Sequence, residues 1–222
     1  TRVQCWGDNA HAQLGAGGPL IYTTPAAISG VAGAVDLGGN CATFADGTAS
    51  CWGGGNIQIW APDGRATLVD GLSGAVAAEV LGDFGCALID DGTVECWGTA
   101  GWWGALGENI AYSDVPVPVP VIADATALDV DYQHSCALTA TGEVLCWGRW
   151  YGHPPQPFSA LTGFTALAVG SAEDCAVRDD GTVWCAAHWP YTYAAEATQV
   201  AEVSNAVAVA VADDISCAVI DD

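Results

Sequence analysis

Apolar residues occur along the chain in short stretches separated by glycine, proline and acidic turn residues, and this arrangement recurs five times. Each copy contains a stretch of alanine and valine followed by a segment in which apolar and β-branched residues flank a turn. Short apolar stretches bounded by turn residues are typical of β-strands. We expect the alanine- and valine-rich stretches to form the buried inner strand of each repeat: Ala34–Leu37, Ala75–Leu81, Thr126–Val130, Thr165–Val169 and Ala206–Ala212.

A Cys-Trp-Gly tripeptide marks each repeat. It starts at Cys5, Cys51, Cys96 and Cys146, and a degenerate Cys-Ala-Ala copy starts at Cys185. These positions lie 39 to 50 residues apart, which is a spacing typical of repeat architectures such as propellers. In the last four copies another Cys stands ten residues earlier, and the segments so bounded are CATFADGTASC, CALIDDGTVEC, CALTATGEVLC and CAVRDDGTVWC.

These segments have the residue spacing of hairpins. Pairing Cys86 with Cys96 and counting inward leaves a three-residue loop, Asp90-Asp91-Gly92. A loop of this length favours glycine at its third position, where the backbone is left-handed. The same position is occupied in the other copies by Gly47, Gly142 and Gly181.

The ten Cys predict a disulfide framework. Two Cys that face each other on neighbouring antiparallel strands are close enough to form a disulfide, and closing so short a loop contributes about 2–3 kcal/mol in the chain-entropy model. Metal binding requires clustered ligands, which one widely spaced pair per repeat does not supply. An even count of Cys at regular spacing indicates an oxidising compartment. The predicted bridges are Cys41–Cys51, Cys86–Cys96, Cys136–Cys146, Cys175–Cys185 and Cys5–Cys217.

The fifth bridge follows from the two ends of the chain, which are complementary halves of one repeat. The sequence ends CAVIDD and begins TRVQCWG, so joining the ends restores the spacing of ten between Cys217 and Cys5. Thr1 then takes the place of the turn glycine, where a β-branched residue is unfavourable unless the chain is broken. We expect the N-terminal strand to complete the last blade and close a ring. The same pairing between molecules would give head-to-tail contacts, and a piece of a longer repeat array is a third interpretation.

These features predict an all-β fold, a β-propeller of five repeats, each with a disulfide-stapled hairpin. Val115–Pro120 alternates valine with proline, and proline has no N–H to donate, so we expect an extended edge or loop segment there. The repeats of the single domain 1–222 are expected at approximately 34–74, 75–125, 126–164, 165–205, and 206–222 plus 1–33.

The charge balance narrows the choice of partners. Four Arg, no Lys and 26 acidic residues give a formal net charge of -22. Such a surface repels polyanions, so we expect no nucleic-acid partner. No apolar stretch approaches the ~20 residues of a membrane span. An acidic surface suits solubility, high-salt surroundings, cation binding or a basic partner.

Candidate catalytic residues are few. His134 stands at a repeat position that suits a structural hydrogen bond, whereas His11, His153 and His188 fall in different loops without a partner motif. The chain has no nucleophile elbow, phosphate loop or zinc-protease motif. We therefore expect no catalytic residue, no metal ligand and no enzyme, and a buried His–carboxylate pair in a central pocket is the observation that would favour one.

The Asp-Asp-Gly turns are candidate Ca²⁺ sites, because Ca²⁺ takes several oxygen ligands. Asp and Gly are also ordinary turn residues, and a single turn supplies too few carboxylates. We favour turn formation and expect no cofactor. The turns concerned contain Asp90-Asp91, Asp179-Asp180 and Asp221-Asp222.

Loop aromatic residues form the candidate binding surface. Exposed aromatic side chains mark protein or carbohydrate contacts, and packing beneath the loops is the alternative. The candidate residues are Trp102, Trp103, Tyr112, Trp150, Tyr151, Trp189 and Tyr191.

Several stretches resemble the regulator of chromosome condensation repeat: Cys86–Gly98, Tyr132–Gly148 and Cys5–Gly15. The series His134-Ser135-Cys136-Ala137-Leu138 is similar to the usual His-Ser-Cys-Ala-Leu of that repeat. The resemblance implies a β-propeller that recognises proteins on a face or rim. Members of the family include an exchange factor for a small nuclear GTPase, a plant ultraviolet-B receptor and a secreted bacterial β-lactamase inhibitor, of which the secreted bacterial type is the nearest analogue. The family's propellers usually have seven blades, and five repeats depart from that number.

Together these observations predict an extracellular or cell-surface, non-enzymatic protein-interaction or structural module, with self-assembly into filaments or surface arrays through the terminal seam. The alternative is a soluble ligand- or inhibitor-type propeller that binds through its loop aromatic residues. The predicted partner is a protein, including a second copy of this chain bound head to tail.

Overall fold

The computed structural model describes residues 2–10, 13–15, 21–53, 65–101, 103–188, 196–212 and 215–221. These residues form twenty β-strands joined by turns, and none of them belongs to a helix. No helix among them could therefore cross a membrane. The strands are β1 Gln4–Asp8, β2 Ile21–Ala27, β3 Ala34–Gly39, β4 Cys41–Phe44, β5 Ala49–Cys51, β6 Thr67–Leu68, β7 Ala75–Leu81, β8 Phe84–Ile89, β9 Val94–Thr99, β10 Tyr112–Pro118, β11 Ala125–Val130, β12 His134–Thr139, β13 Val144–Gly148, β14 Gly152–Pro157, β15 Phe164–Val169, β16 Glu173–Arg178, β17 Val183–Ala187, β18 Thr198–Gln199, β19 Ala206–Ala212 and β20 Ile215–Ile220.

The strands are organised as propeller blades. Four antiparallel units of four strands follow one another along the chain: blade 1 (β3–β6), blade 2 (β7–β10), blade 3 (β11–β14) and blade 4 (β15–β18). The chain starts with a two-stranded N-terminal half-blade (β1–β2) and ends with a two-stranded C-terminal half-blade (β19–β20). The alanine- and valine-rich stretches are the first strands of the units, as their position in each repeat predicts. Their predicted burial is wrong for β3, where four of six residues are exposed, whereas β7 and β15 have one exposed residue each.

The hairpins have the predicted register. Cys86 pairs with Cys96 and Cys136 with Cys146, and the Cα atoms of the four bridged pairs lie 4.0–4.1 Å apart. Gly92 has a φ of 84°, and its amide donates to the carbonyl of Ile89 at 2.9 Å. Four of the predicted disulfides are present: Cys41–Cys51, Cys86–Cys96, Cys136–Cys146 and Cys175–Cys185.

Neighbouring blades pack through their inner strands and through the tryptophan of the Cys-Trp-Gly tripeptide. Trp97 packs in one apolar cluster with the Cys41–Cys51 bridge of the preceding blade. Trp147 packs in the same way with Cys86 and Cys96, and its indole N–H donates to the Ala105 carbonyl at 3.0 Å. Each of these tryptophans therefore covers the disulfide of the blade before it.

Blades 1 and 2 also share backbone pairing, since β3 runs parallel to β7 at Gly38 and Gly39. A Cβ at Gly38 would lie 2.6 Å from the Ala78 carbonyl oxygen, so a side chain there would prevent this approach. The valine–proline segment supplies the outer strand β10, which pairs with β9 at the edge of its sheet with a register shift between Ser113 and Val117. Proline is tolerated at such an edge because its missing N–H leaves no ladder bond unmade.

The predicted ring closure is not formed. β1 pairs with β2 and β20 pairs with β19, and no pairing joins β1 to β20 in the described strands. Cys5 and Cys217 are free thiols, so the predicted fifth bridge is absent from this chain. The spacing of the two Cys shows which strands could pair, but how far the blades reach around the axis depends on side-chain packing between them, which the spacing does not encode.

Candidate functional site

A cluster of buried polar side chains joins blades 3 and 4 at the ends of their strands remote from the glycine turns. We call it the Asp174 cluster, and it consists of buried His134, Asp174 and His188 together with partly buried Tyr151. His134 begins β12 and Asp174 lies at the start of β16, whereas His188 directly follows β17. Antiparallel pairing brings these strand ends to the same side of the sheets.

The Asp174 carboxylate is the centre of the cluster. Its Oδ1 lies 2.9 Å from Nε2 of His134, and its Oδ2 lies 2.9 Å from Nε2 of His188. The Tyr151 hydroxyl donates to Oδ2 at 2.7 Å, and the Gly170 amide donates to Oδ1 at 3.3 Å. Both carboxylate oxygens are thus satisfied although the side chain is 97% buried.

Charge is stabilised inside this cluster. Burial alone would raise the pKa of Asp174, but His134 and hydrogen bonds from both imidazoles hold it well below its usual range. Burial opposes protonation of His134, yet the Asp174 carboxylate raises its pKa overall, with further contributions from Asp131 and Asp129. Burial and Asp174 raise the pKa of Tyr151 well above its usual value, so its hydroxyl remains a donor.

The cluster does not have the exposure of a catalytic site. His134, Asp174 and His188 have side chains only 0–3% exposed, so a substrate cannot reach them in this conformation. The buried His–carboxylate pair that would have favoured an enzyme is present, but it lies between blades, and its contacts are those of an internal hydrogen-bond network. Chemically, the two imidazoles and one carboxylate can also ligate a cation.

The sequence signal for Asp174 is a departure from the repeat. Five residues stand directly before the first Cys of a hairpin: Asn40, Gly85, Ser135, Asp174 and Ser216. Asp174 is the only carboxylate among them. His134 and His188 belong to different repeats, and no spacing in the sequence indicates that they converge. Their convergence depends on the relative placement of blades 3 and 4.

Aromatic side chains lie beside this cluster. The Arg149 guanidinium lies 4.6 Å from the Trp150 ring centre and 5.3 Å from that of Trp103, and it also donates to the side-chain carbonyl of Gln133. Trp150 stacks on His188 with ring centres 5.3 Å apart. Trp103 is 48% exposed, so the aromatic group of Trp103, Arg149 and Trp150 reaches the surface.

The candidate aromatic residues therefore have different locations. Trp150 and Tyr151 both lie against His188, although Tyr151 points inward to Asp174. Trp103 is linked to Trp150 through the Arg149 guanidinium. Tyr112 is exposed on the outer strand β10, paired with Thr99. Trp102, Trp189 and Tyr191 lie outside the described residues.

The acidic turns use their carboxylates locally. Asp91 accepts from the Thr93 amide at 3.0 Å and from its hydroxyl at 2.6 Å. Asp180 makes the same pair of contacts with Thr182. These are the local carboxylate bonds of ordinary turns, one to a backbone amide and one to a side-chain hydroxyl in each turn. Asp222 lies outside the described residues.

The two half-blades expose surfaces that the complete blades bury. All six residues are buried in β8 and in β12, whereas five of six are exposed in the equivalent strand β20. Trp52, Trp97 and Trp147 are at most 3% exposed, but Trp6 is 64% exposed. We call the outward side of β20 the C-terminal edge and the surface around Trp6 the N-terminal edge.

A matching exposure occurs on blade 4. Cys185 is partly buried, whereas both Cys of blades 1, 2 and 3 are at most 1% exposed. The disulfides of blades 1 and 2 are each covered by a tryptophan from the next blade along the chain. Trp6 is the tryptophan that would cover the Cys175–Cys185 bridge if an N-terminal half-blade completed the last blade.

Comparison with known proteins agrees with this architecture. Residues 132–149 match the family described as the regulator of chromosome condensation (RCC1) repeat. No curated protein matches the chain.

Several solved structures share its fold. Human WBSCR16 is 14% identical with a TM-score of 0.78, over 98% of this chain and 68% of that chain. Yeast RCC1 (Prp20), in a complex with Kap60, is 20% identical with a TM-score of 0.79, over 99% and 64%. Prp20p of Saccharomyces cerevisiae, described with its binding to Gsp1p and histones, is 17% identical with a TM-score of 0.72, over 90% and 59%. The chain has the fold of RCC1-type propellers and spans 59% to 68% of the length of these proteins.

Proposed function

We propose that this RCC1-type β-propeller is a non-enzymatic protein-interaction module whose partner is a second copy of the same chain. The observation that carries the proposal is the exposure of β20, because the equivalent strands β8 and β12 are wholly buried. The C-terminal edge exposes Ile215, Val219 and Ile220. An apolar strand with an unpaired edge is a template for pairing with another strand.

The second copy fits because each end of the chain supplies what the other lacks. The C-terminal half-blade has the first two strands of a blade, and the N-terminal half-blade has the last two. Their union restores the Cys spacing of the complete blades and places Trp6 of one copy over the Cys175–Cys185 bridge of its neighbour. Repetition of this contact is head to tail, which gives rings or filaments according to the rotation at each step.

Cys5 and Cys217 would lock the contact covalently. Both are free thiols, and Cys217 is exposed. Exchange with a low-molecular-weight disulfide would join their sulfurs and release the oxidant as two thiols, with the two protons of the Cys transferred to them. Four disulfides within the chain are compatible with an extracellular setting, and we place the assembly there.

The backbone of the C-terminal edge provides the sharpest test. The close Cα spacing of the bridged Cys is that of a non-hydrogen-bonded pair, so the next residue, Ala137 in blade 3, directs its N–H and C=O to the third strand. Ala218 is its equivalent in β20. Ala218→Pro removes one edge donor at a position where proline is tolerated, and Ala218→Ser is the matched control that keeps the donor.

Sedimentation velocity without reductant, over a range of protein concentrations, measures the outcome. We expect the unchanged chain and Ala218→Ser to form concentration-dependent oligomers and Ala218→Pro to remain monomeric. Raised salt should strengthen the assembly, since the net charge of -22 makes the copies repel each other. A monomeric unchanged chain at every concentration, or equal assembly of both variants, contradicts the proposal.

A ligand- or inhibitor-type binding surface is the second candidate. The group of Trp103, Arg149 and Trp150 supports it, because exposed aromatic and Arg side chains are frequent energetic centres of interfaces. A monomeric chain that loses binding to a protein partner upon Trp103→Ala would favour this function over assembly.

A further inference from the structure

A metal centre is the further property that the Asp174 cluster suggests. We propose that His134, Asp174 and His188 bind one divalent transition-metal ion, with Zn²⁺ as the ion that best matches two imidazoles and one carboxylate. Their candidate ligand atoms all lie within 4.8 Å of one another. The site is independent of the proposed assembly and lies inside a single chain.

The orientation of the imidazoles supports the assignment. Both His side chains direct Nε2, the nitrogen commonly used for metal binding, at the same carboxylate. Their ring centres lie 4.9 Å apart and their planes are nearly perpendicular, at 89°, so the two nitrogens approach from different directions. At Zn–ligand distances of about 2.0–2.2 Å, neighbouring ligand atoms of a tetrahedral site are roughly 3.4 Å apart. The two imidazole–carboxylate distances of 2.9 Å would lengthen and the widest of the three separations, at most 4.8 Å, would shorten to reach that geometry.

A change of tautomer leaves both imidazoles able to bind a metal ion through Nε2. Because the ionised Asp174 carboxylate can only accept hydrogen bonds, each Nε2 carries the proton and donates it to Asp174. Neither Nδ1 has a hydrogen-bond partner among the described residues, so no second bond fixes this tautomer. In each neutral imidazole the Nε2 proton would move to Nδ1, which frees the Nε2 lone pair for the metal ion. In His134 that Nδ1 lies 3.8 Å from Asp131 Oδ2.

The surroundings supply negative charge for a buried cation. Asp131 and Asp129 both act electrostatically on His134, and Asp131 is itself buried. Tyr151 donates to Oδ2 of Asp174, which is the outer-shell support that orients a metal-ligating carboxylate. The chain has only four His, and two of them, from neighbouring blades, meet at this carboxylate.

Other groupings near this cluster do not offer the same chemistry. Two further sets of candidate ligands combine a carboxylate with Cys136 and Cys146, or with Cys175 and Cys185. These sulfurs are tied in disulfides and cannot act as thiolates. The assignment therefore rests on the two imidazoles and Asp174.

Zinc binding to purified chain carrying Cys5→Ser and Cys217→Ser tests the proposal, because these changes remove the two free thiols. The protein is treated with a chelator, unfolded in urea without reductant, and refolded with Zn²⁺ alone or Co²⁺ alone. We expect one ion per chain, a raised Tm, and Co²⁺ visible absorption bands of a tetrahedral nitrogen–oxygen site. His188→Gln should weaken Zn²⁺ binding at least about 100-fold, since it removes a direct ligand.

His153→Gln is the matched control, because His153 is exposed and is not one of the three candidate ligands. It should change the Zn²⁺ affinity less than about twofold. If His188→Gln does not fold, anomalous X-ray scattering from crystals of the Zn²⁺-loaded parent locates the ion instead. Failure of the parent to bind Zn²⁺ and Co²⁺, equal affinity in His188→Gln, or an ion located elsewhere overturns the assignment.

Discussion

At the scale of single residues, partly buried carboxylates link neighbouring blades. Asp129 of blade 3 accepts the Val169 amide of blade 4 at 2.7 Å, and Glu79 of blade 2 accepts the Val130 amide of blade 3 at 3.1 Å. These bonds join inner strands that share no ladder, so each carboxylate replaces a missing backbone partner. A buried amide without such a partner would cost about 1–3 kcal/mol.

Glu79 makes the stability of the fold depend on pH. Burial and the neighbouring Asp129 raise the pKa of Glu79 to about 8, against an ordinary value of 4.5, with a smaller contribution from Asp36. The folded chain therefore retains a proton between these pH values that the unfolded chain has lost. The stabilising contribution is complete below about 4.5 and is lost as pH rises towards about 8.

We predict that Glu79→Gln flattens the pH dependence in that window. In the unchanged protein each pH unit there should lower the free energy of unfolding by at most about 1.4 kcal/mol. Urea unfolding at several pH values, without reductant, measures the slope. Glu108→Gln, at an exposed position, is the control. Retention of the slope in Glu79→Gln would show that another group titrates.

Tyr151 supports Asp174 through a single hydroxyl, so its removal has a defined effect. Tyr151→Phe should lower the free energy of unfolding by about 1.5–3 kcal/mol, the range for a hydrogen bond to a charged group. Tyr132 is 58% exposed, and Tyr132→Phe should leave stability nearly unchanged. Equal stability of the two variants, measured by urea unfolding, would mean that Asp174 does not require this donor.

At the scale of elements, the disulfide hairpin is the unit that the sequence specifies most completely. Its register follows from the Cys spacing and from the glycine at the third loop position, and both are local properties of the chain. The convergence of His134 and His188 on Asp174 was not predicted, because it depends on contacts between two blades 40 residues apart in sequence. The location of Trp103 beside Arg149 and Trp150 has the same origin.

The hairpin disulfides should each contribute measurably to stability. Replacing both Cys86 and Cys96 with Ala should lower the free energy of unfolding by about 2–3 kcal/mol, because the ten-residue loop gains freedom in the unfolded chain. This loss of unfolding free energy should exceed the loss in a control variant with Cys5→Ala and Cys217→Ala, because Cys5 and Cys217 are free thiols in the unchanged chain. Thermal unfolding of monomeric samples is the measurement, and equal Tm values would contradict the prediction.

At the scale of the whole molecule, the described strands form four full blades and two complementary half-blades. The sequence predicted which strands would be compatible at the seam but not that the ends of one chain stay apart. Closure depends on how tightly each blade packs against the next, and that packing arises from bulky side chains such as Trp97 and Trp147. The exposure of the two edges therefore follows from the packing of the blades and cannot be predicted from the Cys spacing.

The pairing of Cys5 with Cys217 between molecules tests the account most directly. Chains labelled with ¹⁴N and chains labelled with ¹⁵N are mixed at high concentration, under reducing conditions that leave the buried disulfides intact. The mixture is then oxidised with a small-molecule disulfide, and the protein is digested without reductant. Mass spectrometry of the Cys5–Cys217 peptide should find mixed ¹⁴N–¹⁵N species at about half of the total, as random pairing between copies requires. Finding only single-isotope peptides with no mixed species, as a bridge within each chain would give, or finding no Cys5–Cys217 peptide would contradict assembly through the half-blades.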